Sequence, residues 1–396
     1  MAEKELVPEL RFKEFSPKWN ISSINKIFAI KNGYAFSSSN SQACGTRWIK
    51  IADVGIGRVK NDSLSYLPNS FLEDHENYIL KEGDYVVALT RPILNGRLKI
   101  ARIDKFASNS LLNQRVGKIE SENDLEFIFQ RLNDNSLIRK IEVLISGSDP
   151  PNLSPKDIKS IRLAIPLLSE QQKIASFLSA IDKRIALLEK KKALLEQYKK
   201  GVLQQIFSQE IRFKDENGNE FPDWEEKKIE DIFSITRGQV LAAIKASETK
   251  SEINNFPVYS SQTKNRGLMG YYSEYLFENS LTWTTDGANA GDVNYRKGKF
   301  YCTNVCGVLI SDEGYANSFI AEKLKSISYK HVSYVGNPKL MNNVMAKIRI
   351  EVPSSLQEQK SISAFFELLN DLISKMNDSI ESEMKFKKGL LQKMFV

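Results

Sequence analysis

Between residues 169 and 207 apolar residues recur every seven positions, at Ile174, Ile181, Leu188, Leu195 and Val202. Phe177, Leu178, Ile185, Tyr198 and Ile206 widen that stripe. No proline interrupts the segment, and its single glycine, Gly201, lies near its end. Heptad spacing marks a helix that packs along a partner helix, and Ser169 is placed to cap its start. At about 1.5 Å per residue the helix runs to roughly 58 Å, more than one small domain needs. The register returns near 357–395 at Ile362, Leu369, Met376 and Leu390. Glu383 interrupts it there, while Ile380, Met384 and Phe386 keep the neighbouring stripe apolar. The pattern predicts two long helices forming an antiparallel pair. Phe177, Ile181, Leu188, Leu195, Val202, Phe365, Leu369, Met376 and Leu390 are expected to carry the pairing or the docking of a partner.

The helices belong to a larger repeat. Trp19, Ile24, Ile27-Phe28, Ile30 and Gly33 return at Trp224, Ile229, Ile232-Phe233, Ile235 and Gly238, a constant 205 residues on. Leu10-Arg11-Phe12 has its twin in Ile211-Arg212-Phe213. Leu153, Ile161, Ile165 and Pro166 return 187 residues on, at Leu340, Ile348, Val352 and Pro353. Glu170-Gln171, Ile174 and Phe177 return 188 on, as do Lys199-Lys200-Gly201, Leu203-Gln204 and Phe207, so the two helices have equal length. Ile211-Arg212-Phe213 follows the first helix at once. Pseudo-symmetry therefore places Leu10-Arg11-Phe12 beside the end of the second helix, near Phe395, with the termini adjacent. Residues 34–150 and 239–335 share only a coarse rhythm of strands and helices. A framework written twice around two different inserts suggests one task performed on two targets.

Composition narrows the task. The 396 residues are 41% hydrophobic, 10% aromatic and 27% charged, which is ordinary for a folded, water-soluble protein. Neither a signal-peptide core within Met1 to Lys13 nor an apolar run of about eighteen residues occurs, so a cytoplasmic protein without membrane contact is expected. The net charge of +7 favours a polyanionic partner without identifying one. The lysines at 190–192, 199 and 200 read first as a solvated helix face. Cys44, Cys302 and Cys306 fit a reducing compartment. Cys302 and Cys306 lie four apart, but His75 and His331 are isolated, so four zinc ligands do not assemble and no metal is expected.

Two tempting catalytic patterns fail on inspection. Asp149-Pro150-Pro151-Asn152 is similar to the Asp-Pro-Pro-aromatic motif of DNA amino-methyltransferases, yet Asn stands where a ring must stack on the flipped base. Its repeat partner, Gly336-Asn337-Pro338-Lys339, reads as a loop before a closing strand. Pro222-Asp223 with Glu226-Lys227-Lys228 spaces its acids too closely for a nuclease metal site. A Walker A sequence is missing, and two isolated histidines argue against a Ser-His-Asp or Cys-His centre. No residue is assigned a catalytic role.

Recognition remains. Base edges are read by Arg, Lys, Asn, Gln, Ser and Thr on loops. In the first insert, residues 85–89 read as a strand leading into Thr90-Arg91-Pro92 and a polar loop. The candidates there are Arg91, Asn95, Arg97 and Lys99, followed by the cluster Asn113, Gln114 and Arg115. In the second insert they are Ser260, Gln262, Thr263, Lys264, Asn265 and Arg266, then Thr285 and Asn289, then Arg296 and Lys297. Each is equally readable as part of a solvated turn.

At the repeated anchors the chain resembles the specificity subunit of type I restriction-modification enzymes. The stretches that carry the resemblance are IPLLSEQQKIASFLSAID at 165–182 with VPSSLQEQKSISAFF at 352–366, and KKGVLQQIF at 199–207 with KKGLLQKMF at 387–395. It covers nearly the whole chain. It implies an α+β protein with two mixed α/β target recognition domains, at 1–166 and 210–354. They are joined by two long antiparallel coiled-coil helices, at 167–209 and 355–396. It further implies a non-catalytic chain that binds double-stranded DNA, each domain reading half of a gapped target. Its partners would be two modification (methyltransferase) subunits and ATP-dependent restriction subunits. This chain would hold no cofactor, S-adenosylmethionine, ATP and Mg²⁺ belonging to the partners. A self-contained methyltransferase or nuclease, and a coiled-coil scaffold without DNA specificity, are the alternatives.

Overall fold

The computed structural model describes residues 6–396 apart from Ser63, Ser148, Pro155, Gln262 and Thr263, and for Lys264 and Asn265 the backbone alone. Two compact units emerge, Met1–Glu189 with Asp378–Val396, and Lys190–Asn377. The fold is α+β, as expected. Among the described residues no helix is long and apolar enough to cross a membrane.

In the first unit the strand Asn20–Ser23 pairs antiparallel with Arg162–Ile165, so the opening and closing anchors of the first copy are neighbours. Between them lie a five-stranded and a four-stranded mixed sheet. The helices Leu125–Leu132 and Asn135–Ile145, capped by the Asp124 and Asp134 carboxylates, pack Ile128, Leu132, Ile138 and Ile141 into the core. In the second unit Trp224–Lys228 pairs with Arg349–Pro353 in the same way, around one six-stranded sheet and the helix Ser318–Ser328 capped by Asn317.

The long helices run from Leu168 to Phe207 and from Leu356 to Met394. The first begins one residue before the expected cap. Leu167 O accepts from Glu170 N and Gln171 N, which leaves Ser169 inside the first turn. In the second, Ser355 caps with its own hydroxyl, accepting from Glu358 N at 3.4 Å. Among the residues removed from water, a regular series runs along the first helix through 171, 174, 178, 181, 185, 188, 192, 195, 199, 202 and 206. Along the second the matching series is 359, 362, 366, 369, 373, 376, 380, 383, 387, 390 and 394. These alternating steps of three and four are the seam of a coiled coil. The heptad series Ile174 to Val202 is one half of the seam, and Lys192 and Lys199 sit in the other. Glu383 remains in register, its side chain 16% exposed and 3.0 Å from Arg184. In the first unit the helices run antiparallel, for Asp182 meets Lys387 and Arg184 meets Glu383. Phe177 and Phe365 stand just off the seam. Phe177 meets Phe12 edge-on at 5.8 Å, and Phe365 meets Phe213 at 6.1 Å.

The N-terminal segment sits where pseudo-symmetry requires. Leu10 N donates to Lys393 O, as Ile211 N donates to Gln205 O. Phe395 packs against Trp19 and Phe127.

Candidate nucleic-acid interface

In and around the inserts, where the two sequences diverge, a set of backbone hydrogen bonds recurs in matched pairs. Gly33 N donates to Val116 O and Gly238 N to Cys306 O. Leu89 N donates to Arg115 O and Thr285 N to Val305 O. Leu153 N reaches Leu89 O and Leu340 N reaches Thr285 O, while Arg91 N reaches Pro151 O and Gly287 N reaches Pro338 O. Trp48 and Ile49 run parallel to Leu111 and Leu112, as Val258 and Tyr259 run parallel to Tyr301 and Cys302. The loop Thr90-Arg91-Pro92 is therefore the counterpart of Asp286-Gly287-Ala288. Likewise the turn Asn113-Gln114-Arg115 is the counterpart of Thr303-Asn304-Val305.

Equivalent backbones thus present different chemistry. In the first unit Arg91, Gln114 and Arg115 are exposed, and Asn113 bonds its oxygen to Arg115 N at 3.1 Å. A concavity of about 370 Å³ between these loops is lined by Thr90, Gln114, Arg115 and Asn152, with Thr90 Oγ1 donating to Asn152 Oδ1. In the second unit a concavity of about 330 Å³ is lined by Arg266, Asn289, Asp292, Lys325 and Tyr329. Arg266 is exposed and adopts φ +52°, and Arg91 adopts φ +48°. Left-handed backbone is uncommon in non-glycine residues and marks both as turn positions.

The sequence matches the profile of the family described as type I restriction modification DNA specificity domain over residues 17–197 and 222–382. The chain belongs to this family. Over 207 residues it is 30% identical to the specificity subunit of the type I restriction enzyme MjaVIII of Methanocaldococcus jannaschii, covering 52% of this chain and 49% of that relative. The chain thus spans about half the length of that relative. It is 33% identical over 242 residues to a putative type I specificity subunit of Mycoplasma pneumoniae, covering 59% and 86% of the two chains. Its fold matches the crystal structure of the type I restriction-modification S subunit of Mycoplasma genitalium with a TM-score of 0.69 and 19% identity, over 98% of this chain and 99% of that one.

Within the two specificity domains the remaining candidates have distinct surroundings. Asn95 and Gly96, at φ +51° and +70°, form the two-residue turn of the hairpin Ile93–Leu94 with Arg97–Leu98, and expose Asn95 and Arg97 at its tip. Lys99 is half-buried. Its Nζ donates to Ile51 O at 2.6 Å, and burial holds its pKa below the ordinary lysine value. Ser260 is half-buried; Lys264 and Asn265 lie in the turn Lys264–Gly267; Gln262 and Thr263 fall outside the described residues. Thr285, read from sequence as a loop residue, is fully buried, and its hydroxyl bonds Asp286 and Val305 O. It occupies the place of Leu89, a core position. Arg296, 7% exposed, lies 3.7 Å from the Tyr259 ring centre and donates to Thr282 Oγ1 and Arg266 O. It braces the turn that displays Arg266. Lys297 is exposed and pairs with Glu367 of the second long helix at 3.1 Å.

Sequence reasoning passed over Asn304, exposed at the counterpart of Gln114, and Lys325 and Tyr329 from the helical wall of the second concavity. Only the backbone repeat discloses Asn304. The described residues hold no group of three or more His, Cys, Asp or Glu able to bind a metal. Cys302 and Cys306 are buried with Phe300 and Val308, and burial raises both thiols.

Proposed function

We propose that this chain is the non-catalytic DNA-reading subunit of a type I restriction-modification complex. Each globular domain reads one half of a gapped target, and the long helices set the gap and dock the modification subunits. The observation that carries this reading is the repeated backbone with unlike loops. Matching hydrogen bonds hold Thr90-Arg91-Pro92 and Asp286-Gly287-Ala288, yet the first loop exposes the Arg91 cation and the second carries none, its Asp286 half-buried and paired with Lys339. A scaffold kept constant while its displayed side chains change is what two different half-targets require. Arg91, Asn95, Arg97, Asn113, Gln114 and Arg115 are assigned to one half-site. Ser260, Gln262, Thr263, Lys264, Asn265, Arg266 and Asn289 are assigned to the other, joined by Asn304 and Lys325. Lys99, Thr285 and Arg296 serve by holding those loops. Exposed Leu187, Leu194, Leu368 and Leu372 give the helices an apolar outer face for partner subunits.

The test is co-expression with a modification subunit, followed by genome-wide mapping of methylated adenine. Methylation at a site with two separated halves is expected. Replacing residues 34–150 should change one half alone. Methylation at a continuous site, or none from an assembled complex, refutes the proposal.

A further inference from the structure

Each unit places a lysine at the same point of the seam between the long helices. In the first it is Lys387, whose Nζ lies 2.6 and 2.7 Å from the two carboxylate oxygens of Asp182. Asp182 Oδ2 also accepts, at 2.8 Å, from Nε2 of Gln130 on the helix Leu125–Leu132 of the globular part. In the second unit it is Lys199, which donates to Asn370 Oδ1 at 2.9 Å and to the carboxylate of Glu322 on the helix Ser318–Ser328. Lys199 and Lys387 are 188 residues apart, as are Asp182 and Asn370, so these are the same places on the two helices. Gln130 and Glu322 are 192 apart, and so are Arg131 and Lys323, which lie over the equivalent rings of Phe395 and Phe207. The lysine is constant, and the carboxylate and the amide beside it have traded places, the Gln130 amide bonding Asp182 where the Asn370 amide bonds the lysine itself. In the first unit the helix pair supplies the carboxylate and the globular part the amide. In the second the globular part supplies the carboxylate and the helix pair the amide.

Lys387 and Lys199 keep only 13% and 17% of their side-chain surface in water. A charge held this way needs one counter-charge, and an unpaired one is strongly destabilising. A globular part bearing the Gln130 amide, seated against Asn370, would leave Lys199 between two amides. A part bearing Glu322, seated against Asp182, would crowd two carboxylates onto Lys387. In the first seat Glu126 adds to this, since it accepts from Gln130 Nε2 at 2.8 Å. Discrimination built from a mismatch in both directions is how like surfaces are kept from exchanging partners.

The geometry points to a seating code: the exchanged amide and carboxylate decide which globular part each helix-pair seat accepts. The code holds whatever DNA is read. Asp182 follows the first globular part in the chain and Asn370 follows the second, so each part travels with its match. A recognition segment transplanted with the first turns of its own helix is therefore accepted in either place. One moved alone is not.

The test is a double-mutant cycle in the full chain, with E322Q, N370D and E322Q/N370D. It is read by amide hydrogen exchange in the helix Ser318–Ser328, with Leu125–Leu132 as internal reference. E322Q puts the first unit's amide on the second seat and should speed exchange about tenfold. Adding N370D moves the carboxylate to the helix pair, as in the first unit, and should restore exchange to within about twofold of the parent. N370D alone should not slow exchange. If E322Q exchanges like the parent, or N370D acts equally in both backgrounds, the code is wrong. If E322Q proves insoluble, recovery of a soluble E322Q/N370D protein supports the code, and failure to recover one overturns it.

Discussion

Arg11 closes on the carboxylate of Glu170 through two hydrogen bonds of 2.7 Å, and Arg212 closes on Glu358 at 3.3 and 3.0 Å. Glu170 and Glu358 are 2% and 0% exposed on their side chains, so each arginine is the counter-charge of a buried acid. The hydrogen bond to Glu170 raises the Arg11 pKa, as that to Glu358 raises Arg212. Each pair ties the segment that opens a globular part to the first turn of the helix that leaves it. Removing one partner strands a buried charge, so Arg11→Ala and Arg212→Ala should each cost about 3 kcal/mol. Arg349→Ala, which breaks an exposed pair with Glu226, should cost about 0.5 kcal/mol or less. Denaturant unfolding of the three variants gives the comparison. Equal losses would show that the buried pairs hold nothing the surface pair does not.

How much of this was legible in the sequence depends on what carried each signal. Arg11, Trp19, Gly33 and Glu170 could be read because the residues themselves recur at Arg212, Trp224, Gly238 and Glu358. The seam positions Ile174 to Val202 could be read because apolar residues mark them. Its other half could be read at Leu178, Ile185 and Ile206 but not at Lys192, Lys199 and Lys387, which look like a solvated face until their partners are seen. The counterparts Asn113 and Thr303, or Leu89 and Thr285, were illegible for another reason. Their equivalence lies in backbone hydrogen bonds, which leave no mark on side-chain identity. Burial misled the reading of Thr285 and Arg296, whose polar groups are consumed within the fold. A loop of Thr, Asp, Gly and Asn looks the same in sequence whether it faces DNA or the core.

The three thiols should separate by environment. Cys44 is exposed, while Cys302 and Cys306 are buried. Burial pushes the Cys306 thiol up to about 11. At pH 8 a thiol reagent should modify Cys44 alone in the folded chain and all three on unfolding. The pH dependence follows from the sign. The folded state holds the Cys306 proton more tightly than the unfolded chain, whose thiol titrates near about 8.5. The stability this contributes is complete below that pH and is lost as pH rises toward 11. Cys306→Ala should therefore show a shallower alkaline fall in unfolding midpoint than the parent. Identical slopes would contradict the burial argument.

Displayed and bracing residues should fail differently. Arg115→Ala removes an exposed cation, so stability should stay within about 0.5 kcal/mol. On the proposed function, it should relax one half-site or lower the salt dependence of DNA binding by about one unit of slope. Arg296→Ala removes hydrogen bonds to Thr282 Oγ1 and Arg266 O from inside the second unit, which should cost about 2 kcal/mol. Its effect on recognition should fall on the other half-site, through a loosened Arg266 turn. Binding titrations over a salt series, beside unfolding curves, distinguish the two. A destabilised Arg115→Ala with unchanged binding would remove that residue from the interface.

Gly33 and Gly238 give the sharpest test that two turns are one device. A Cβ on Gly33 would lie 2.2 Å from Leu112 O and 2.4 Å from Asn113 O, and one on Gly238 would lie 2.2 Å from Cys302 O and 2.4 Å from Thr303 O. Real Cβ atoms do not approach backbone oxygens so closely, so an alanine must push the facing turn away. Overpacking of this kind costs about 1–3 kcal/mol. The displaced turn is Asn113-Gln114-Arg115 in one case and Thr303-Asn304-Val305 in the other. Gly33→Ala should degrade reading of one half-site and Gly238→Ala that of the other, with similar losses of stability. Methylation profiles of the two variants, each with the modification subunit, carry the answer. If both variants lose the same half-site, or neither loses any, the turns are not the reading elements, and their shared backbone is a feature of folding alone.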